Sequence, residues 1–264
     1  MPPEHLLNIN ENQILDLNNL IKNHLNNKKS DEQISTGTNN LDDVLGGGLC
    51  FGKIYLVYGT SKTGKTQFCH QMSIQAIMNK KLAYYLDTEN TFRVERITEM
   101  VKNLKISPEL ILKNIFVSKI MSSSMLLLSL NDIEEKFSKG NNQVLIIDTI
   151  NNYFRFDQGD ENSSFHKTKS NFLNALEKLS TITQKFNLIT IVTAQISSNF
   201  INDSIIRDIP VGNQFLNHYI SEYLYLRLEE EKVNSAHLVN SQYLPEKKQY
   251  FKITSSGLED FNIK

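Results

Sequence analysis

Between Tyr58 and Gln67 the chain reads Gly59-Thr60-Ser61-Lys62-Thr63-Gly64-Lys65-Thr66, a full match to G-x-x-x-x-G-K-[ST]. The run before it, Ile54–Tyr58, is apolar and rich in β-formers, and the run from Lys65 to about Asn79 has helical spacing. A strand, a glycine-punctuated turn and a helix in that order form a cradle for phosphate. The glycines let backbone N–H groups turn inward, and the open helix N-terminus adds positive partial charge. Lys65 is placed to reach the β- and γ-phosphates and Thr66 to ligate Mg²⁺, with Gln67 closing the segment expected to meet nucleotide. Lys62 reads as a solvated position within the loop. Few other features constrain a fold so tightly, because this one requires a βα unit at a fixed place in an α/β sheet.

The surrounding text agrees. Apolar β-rich runs at Leu82–Leu86, Ile115–Val117, Val144–Ile147 and Leu188–Thr193 are separated by helical patterns. These fall at about Phe92–Leu104, Met125–Phe137 and Phe165–Phe186, and such alternation predicts a mostly parallel sheet flanked by helices. Three later runs, Glu222–Leu228, Ala236–Val239 and Gln249–Ile253, are joined by turn-like segments and predict an antiparallel edge on the same sheet. Residues 1–33 differ from the rest: they are rich in Asn, Lys and Glu. Ile14, Leu17, Ile21 and Leu25 recur there at helical spacing, which predicts an amphipathic helix over about Asn12–Asn26 followed by a linker. The expected division is therefore a helical extension over 1–33 and an α/β core over 34–264.

Two further carboxylates end strands of that core. Val144-Leu-Ile-Ile-Asp148 is a buried-strand pattern closed by an Asp that could hold a Mg²⁺-bound water. Leu86-Asp87-Thr88-Glu89 closes the strand before it, where Glu89 could orient and deprotonate an attacking water. The alternative for that cluster is helix capping by Thr88 or Asn90 ahead of the helix near Phe92. Cys50 and Cys69 do not form a CxxC pair, and Cys69 reads as a small buried hydrophobe in the helix after the loop. The net charge of -1 gives no global signature of a nucleic-acid coat. No apolar run approaches the roughly 20 residues of a membrane span. An intracellular protein is expected, cytoplasmic in an archaeon and nuclear in a eukaryote.

Longer stretches resemble the archaeal RadA recombinases and their eukaryotic relatives. They are Ile34-Ser-Thr-Gly37, Leu45-Gly-Gly-Gly48, Gly64-Lys-Thr-Gln-Phe-Cys-His70-Gln, Asp87-Thr-Glu-Asn-Thr-Phe-Arg-Val-Glu-Arg96-Ile, and Phe251-Lys-Ile-Thr-Ser-Ser-Gly-Leu-Glu-Asp260. The resemblance runs from about Ile34 to Asp260. It implies a RecA-type P-loop ATPase core that binds ATP and Mg²⁺ and works on DNA in recombination and repair. It implies Glu89 as general base, Arg96 on the adenine, and Gln195 as a sensor of the γ-phosphate that passes its state to the DNA loop. It implies that Pro210 and His218 cap the ATP of a neighbouring subunit, hence self-association or assembly with a RadA-type recombinase.

The departures are also specific. About thirty residues precede the core where RadA has a helix-hairpin-helix domain, and no Phe-x-x-Ala segment lies ahead of Phe51. Phe172-Leu-Asn-Ala175 fits those letters but falls in a long amphipathic helix and reads as core. The first DNA loop, Phe154–Asn162, carries Asp157, Asp160 and Glu161 against a single Arg155. The second, Ile196–Pro210, has Arg207 opposed by Asp203 and Asp208, and Ala194 stands where the family usually has Asn. In build the chain is similar to RadB, the short archaeal paralogue. The expected role is a slow ATPase that contacts DNA weakly, single strands foremost, and assists a full recombinase. The alternatives are an autonomous filament-forming recombinase and a KaiC-like signalling ATPase without DNA.

Overall fold

Continuous apolar runs such as Val144–Ile147 leave no solvent face, so they require a sheet covered on both sides. The computed structural model, which describes residues 32–104, 106–137, 143–154, 165–198, 208–230 and 233–262, has that arrangement. Strands β1 (Gln33–Ile34) and β2 (Leu49–Cys50) form a small antiparallel pair around helix α1 (Asn39–Val44). The main sheet contains β3 (Lys53–Tyr58), β4 (Ala83–Asp87), β5 (Ile115–Lys119), β6 (Val144–Asp148), β7 (Ile189–Ala194), β10 (Glu222–Leu228), β11 (Val233–Ser241), β12 (Lys247–Thr254) and β13 (Gly257–Asp260). A two-stranded ribbon, β8 (Ile196–Ser198) with β9 (Asp208–Pro210), stands apart from it. The helices are α2 (Lys65–Met78), α3 (Val94–Val101), α4 (Pro108–Lys113), α5 (Ser123–Lys136), α6 (Phe165–Phe186) and α7 (Asn213–Leu216). Among the described residues no helix is long and apolar enough to cross a membrane.

The strand order is β13-β12-β11-β10-β3-β7-β6-β4-β5, and all pairings from β10 to β5 are parallel. The chain leaves β3 through α2, passes over two strand positions to β4, and later returns to fill them with β6 and β7. That crossover opens a crevice at the carboxyl ends of β3, β4, β6 and β7, where ligands of open α/β sheets bind. Successive residues of one strand serve opposite faces. Ile54, Leu56 and Tyr58 pack with α5 and α6, whereas Tyr55 and Val57 pack with α1, α2 and α3. Phe172 and Ala175 of α6 are buried in the first of these layers, as an apolar stripe on a long helix requires.

Two sequence expectations need amendment. The antiparallel edge consists of β11, β12 and β13, and β10 belongs to both regimes: it runs parallel to β3 and antiparallel to β11. The strand Gly257–Asp260 escaped notice because its four residues carry a single large apolar side chain, Leu258. Helix α4 escaped as well, being six residues long and headed by Pro108 at its first turn. The expected helix over Asn12–Asn26 lies outside the described residues.

One buried residue couples this packing to pH. His70 of α2 is 1% exposed, stacks on Tyr85 with ring centroids 6.0 Å apart, meets Phe92 edge-on at 5.3 Å, and has no hydrogen-bond partner on either ring nitrogen. Burial pushes its pKa down to about 4, against the attraction of Asp148. Between pH 6.5 and about 4 the unfolded chain therefore takes up a proton that the folded chain refuses, and stability falls as pH drops. The loss reaches about 3 kcal/mol. His70→Phe keeps the aromatic packing and is expected to remove most of that slope, as measured by urea unfolding over a pH series.

Candidate active site

The loop after β3 is shaped by two close approaches. A Cβ on Gly59 would stand 2.1 Å from the carbonyl oxygen of Leu226 in β10, and Gly64 (φ 102°) caps α2 in the left-handed region. No side chain caps the N-terminus of α2, so its first N–H groups face the loop. Thr63 is fully buried and its hydroxyl donates to Thr60 O at 2.9 Å, while Lys62 is exposed at a left-handed φ of 68°. The Lys65 ammonium donates to Gly59 O at 2.9 Å and Thr60 O at 2.8 Å. Burial lowers its pKa, and the nearby carboxylates of Asp148 and Glu89 oppose that shift.

A cleft of about 550 Å³ opens over this loop. Its walls include Thr60, Lys65, Thr66, Gln67, Glu89, Asp148 and Gln195, contributed by the carboxyl ends of four parallel strands. Asp148 is 1% exposed. Its Oδ2 accepts from the hydroxyls of Thr66 and Tyr85, both at 2.8 Å, and of Thr91 at 3.2 Å. Its Oδ1 accepts from Thr193 and, at 3.4 Å, from Thr149. The Gln195 carboxamide nitrogen donates to Glu89 Oε1. Ile253 of β12 adds an apolar wall above Gly64.

The donor set indicates what this cleft can take. Among the described residues no group of three or more His, Cys, Asp or Glu side chains could hold a metal. The Thr66 hydroxyl and Asp148 offer one neutral oxygen donor and one carboxylate, which is the sparse set that suits Mg²⁺ completed by phosphate oxygens and water. Lys65, the backbone cradle and the open helix end would hold the phosphates themselves.

Asp87, rather than Thr88 or Asn90, organises the turn after β4: its carboxylate accepts from the N–H groups of Glu89 (3.2 Å), Thr91 (3.1 Å) and Phe92 (3.0 Å). Thr88 instead donates its hydroxyl to Thr149 O at 2.8 Å. Arg96 is held in a lattice of its own. It donates to Gln67 Oε1 at 2.6 Å, Glu99 Oε2 at 2.5 Å, Thr254 O at 2.5 Å and Ser255 O at 2.9 Å, tying α2 to the β12–β13 turn. Pro210 is buried in β9 and His218 is exposed just beyond α7, and neither is among the residues lining the cleft. Tyr85, Thr91 and Thr193 were missed by motif reading. Strand register is the signal that would have found them: Asp87 pairs with Asp148 and Ile147 with Val192, which brings those neighbours to one point.

Comparison with known proteins agrees with this architecture. A family model described as Rad51 matches residues 27–261. The DNA repair and recombination protein RadA of Aeropyrum pernix is 29% identical over 239 residues, spanning 87% of this chain and 73% of that protein.

Asp148→Asn removes the charge and turns an amide NH₂ toward hydroxyl donors. Leaving such buried donors opposed costs about 1–3 kcal/mol. The variant is expected to be less stable by that order in urea unfolding. In calorimetric titration it should also bind ADP with equal affinity with and without Mg²⁺, unlike the parent.

Proposed function

The chain belongs to the Rad51 family, and on that premise we propose that it binds Mg·ATP over the Gly59–Thr66 loop and hydrolyses it slowly. We further propose that it serves DNA recombination and repair as an accessory to a full-length recombinase. The observation carrying the reading is the convergence on one cleft of Lys65, the Thr66–Asp148 pair and the Glu89–Gln195 pair.

In this reading Lys65 exchanges its two carbonyl partners for the β- and γ-phosphates, its charge sustained by Asp148 and Glu89. The Thr66 hydroxyl and, through water, Asp148 would hold Mg²⁺, which when bound would supply positive charge to the phosphate oxygens. Glu89 accepts the proton of the attacking water, and Gln195, already hydrogen-bonded to it, fixes the direction of its carboxylate. Arg96, outside the lining of the cleft, holds Gln67 of its wall together with the Thr254 and Ser255 carbonyls, and from there it is assigned to the adenine. Pro210 and His218, outside their own cleft, are assigned to the nucleotide of an adjoining subunit, either a second copy or a RadA-type recombinase.

The accessory role is supported by charge. The segments 154–162 and 196–210 hold Arg155 and Arg207 as their only basic residues, against five acidic ones. Of the lysines on β12, Lys247 pairs with Asp43 at 2.5 Å and Lys248 with Glu229 at 2.8 Å, while Lys252 lies over the Phe261 ring. Few phosphates can then be neutralised, so DNA contact, single strands included, is weak.

Three outcomes follow from this reading. Lys65→Ala is expected to abolish ATP turnover, and unchanged turnover would remove the site assignment. Glu89→Gln is expected to keep ATP binding while slowing hydrolysis by about 10²–10⁴-fold, the range of general-base catalysis. For single-stranded DNA the log–log salt dependence is expected to be shallow, with roughly 0.7 per phosphate contact and few contacts. A steep slope with strong ATPase stimulation in a fluorescence-anisotropy and turnover series would favour an autonomous recombinase instead.

A further inference from the structure

Asn151 lies three residues beyond Asp148 and is fully buried. Its carboxamide makes three hydrogen bonds to backbone. Nδ2 donates to Gln195 O at 3.0 Å and to Val211 O at 3.1 Å, and Oδ1 accepts from Gln195 N–H at 3.1 Å. Those partners, one N–H and two carbonyls, fix which end of the amide is which. The Val211 N–H also donates to Gln195 O at 3.0 Å. Gln195 and Val211 are the two feet of the β8–β9 ribbon, whose pairing begins with Ile196 opposite Pro210. At the same point the ladder between β6 and β7 has ended: its last pair is Ile147 with Val192, followed by one bond from Ile150 N to Thr193 O. The Asn151 side chain therefore continues the sheet where the backbone no longer can.

Side chains of similar size do not supply this set. An Asp has acceptors but no donor for the two carbonyls, a Thr has one donor, and a Leu has none. We infer that Asn151 is a positioning residue: by clamping both feet of the β8–β9 ribbon to the end of β6, it holds the Gln195 carboxamide on Glu89. The Gln195 side chain and the ribbon are thereby anchored to the strand end that carries Asp148. A change at the Glu89 carboxylate and a change in the ribbon are transmitted through one residue, Gln195, whose backbone Asn151 immobilises.

The inference rests on the reading of Glu89 as general base, and its test has a part that does not. Amide hydrogen exchange on the full chain is compared for the parent and Asn151→Ala. The amides of Gln195 and Val211 are expected to exchange on the order of tenfold faster, while those of Val192 and Thr193 inside β7 stay unchanged. Asn151→Asp, which keeps the volume and the acceptor but loses both donors, is measured alongside and carries the test if the Ala variant does not fold. Unchanged exchange at Gln195 and Val211 overturns the clamp.

Turnover then tests the positioning. Asn151→Ala is expected to lower kcat on the order of tenfold with little change in KM for ATP, as loss of an interaction made in the transition state does. In a Gln195→Ala background the same substitution is expected to cost nothing further, because its route to Glu89 has been removed. An equal loss in both backgrounds overturns the positioning role. If the parent turns over no ATP, the hydrolase reading falls, while the exchange pattern still decides the clamp.

Discussion

A carboxylate with 1% exposure can stay in a protein interior only if its lone pairs are taken by donors. Asp148 meets that condition through the hydroxyls of Thr66, Tyr85, Thr91, Thr193 and Thr149. These come from the first turn of α2, from β4, from the turn after β4, from β7 and from the residue after β6 itself. Each of those elements is held in place relative to the others by the need to deliver its hydroxyl to one point. The strand order that leaves a gap between β3 and β4 and later fills it with β6 and β7 makes the delivery possible. Thus the burial of one charge and the topology of the sheet are two statements of the same constraint.

The same logic accounts for the Glu89 region. Asp87 stands two residues before Glu89 in the sequence, and its oxygens are spent on three backbone N–H groups of the turn that follows. That leaves Glu89 as the carboxylate free to face the cleft, where Gln195 meets it. Arg96 is likewise more than a surface base: with four acceptors around it, it joins the helix behind the phosphate loop to the far antiparallel edge. The cleft is also bounded by Ile253 of β12, which is remote from the Gly59–Thr66 loop in sequence.

Much of this was legible beforehand. The glycine and lysine pattern of 59–66, the apolar run ending in Asp148 and the alternation of periodicities define the parallel half of the sheet, because each is a local signal. What stayed hidden depended on register between distant segments. No spacing in the sequence indicates that Tyr85 and Thr193 share one carboxylate, or that Asn151 meets Gln195 and Val211. Glu222–Leu228 reads locally like its antiparallel successors, and only its pairing with Lys53–Tyr58 makes it parallel. Short elements such as Pro108–Lys113 and Gly257–Asp260 carry too few apolar residues for a period to emerge.

The double allegiance of β10 has a consequence for how the molecule comes into being. β11, β12 and β13 are joined to it and to one another by near neighbours in the chain, so this meander can form from local contacts. Its junction with β3 joins Glu222 to Tyr55, a separation that makes the loop-closing search slow. Until that junction forms, β3 has a bare flank and Gly59 has no Leu226 carbonyl against it. On a ribosome, where chains emerge at about 5–20 residues per second, the phosphate loop must wait roughly ten seconds or more for its second wall. A segment made early in the core is among the last to acquire its shape.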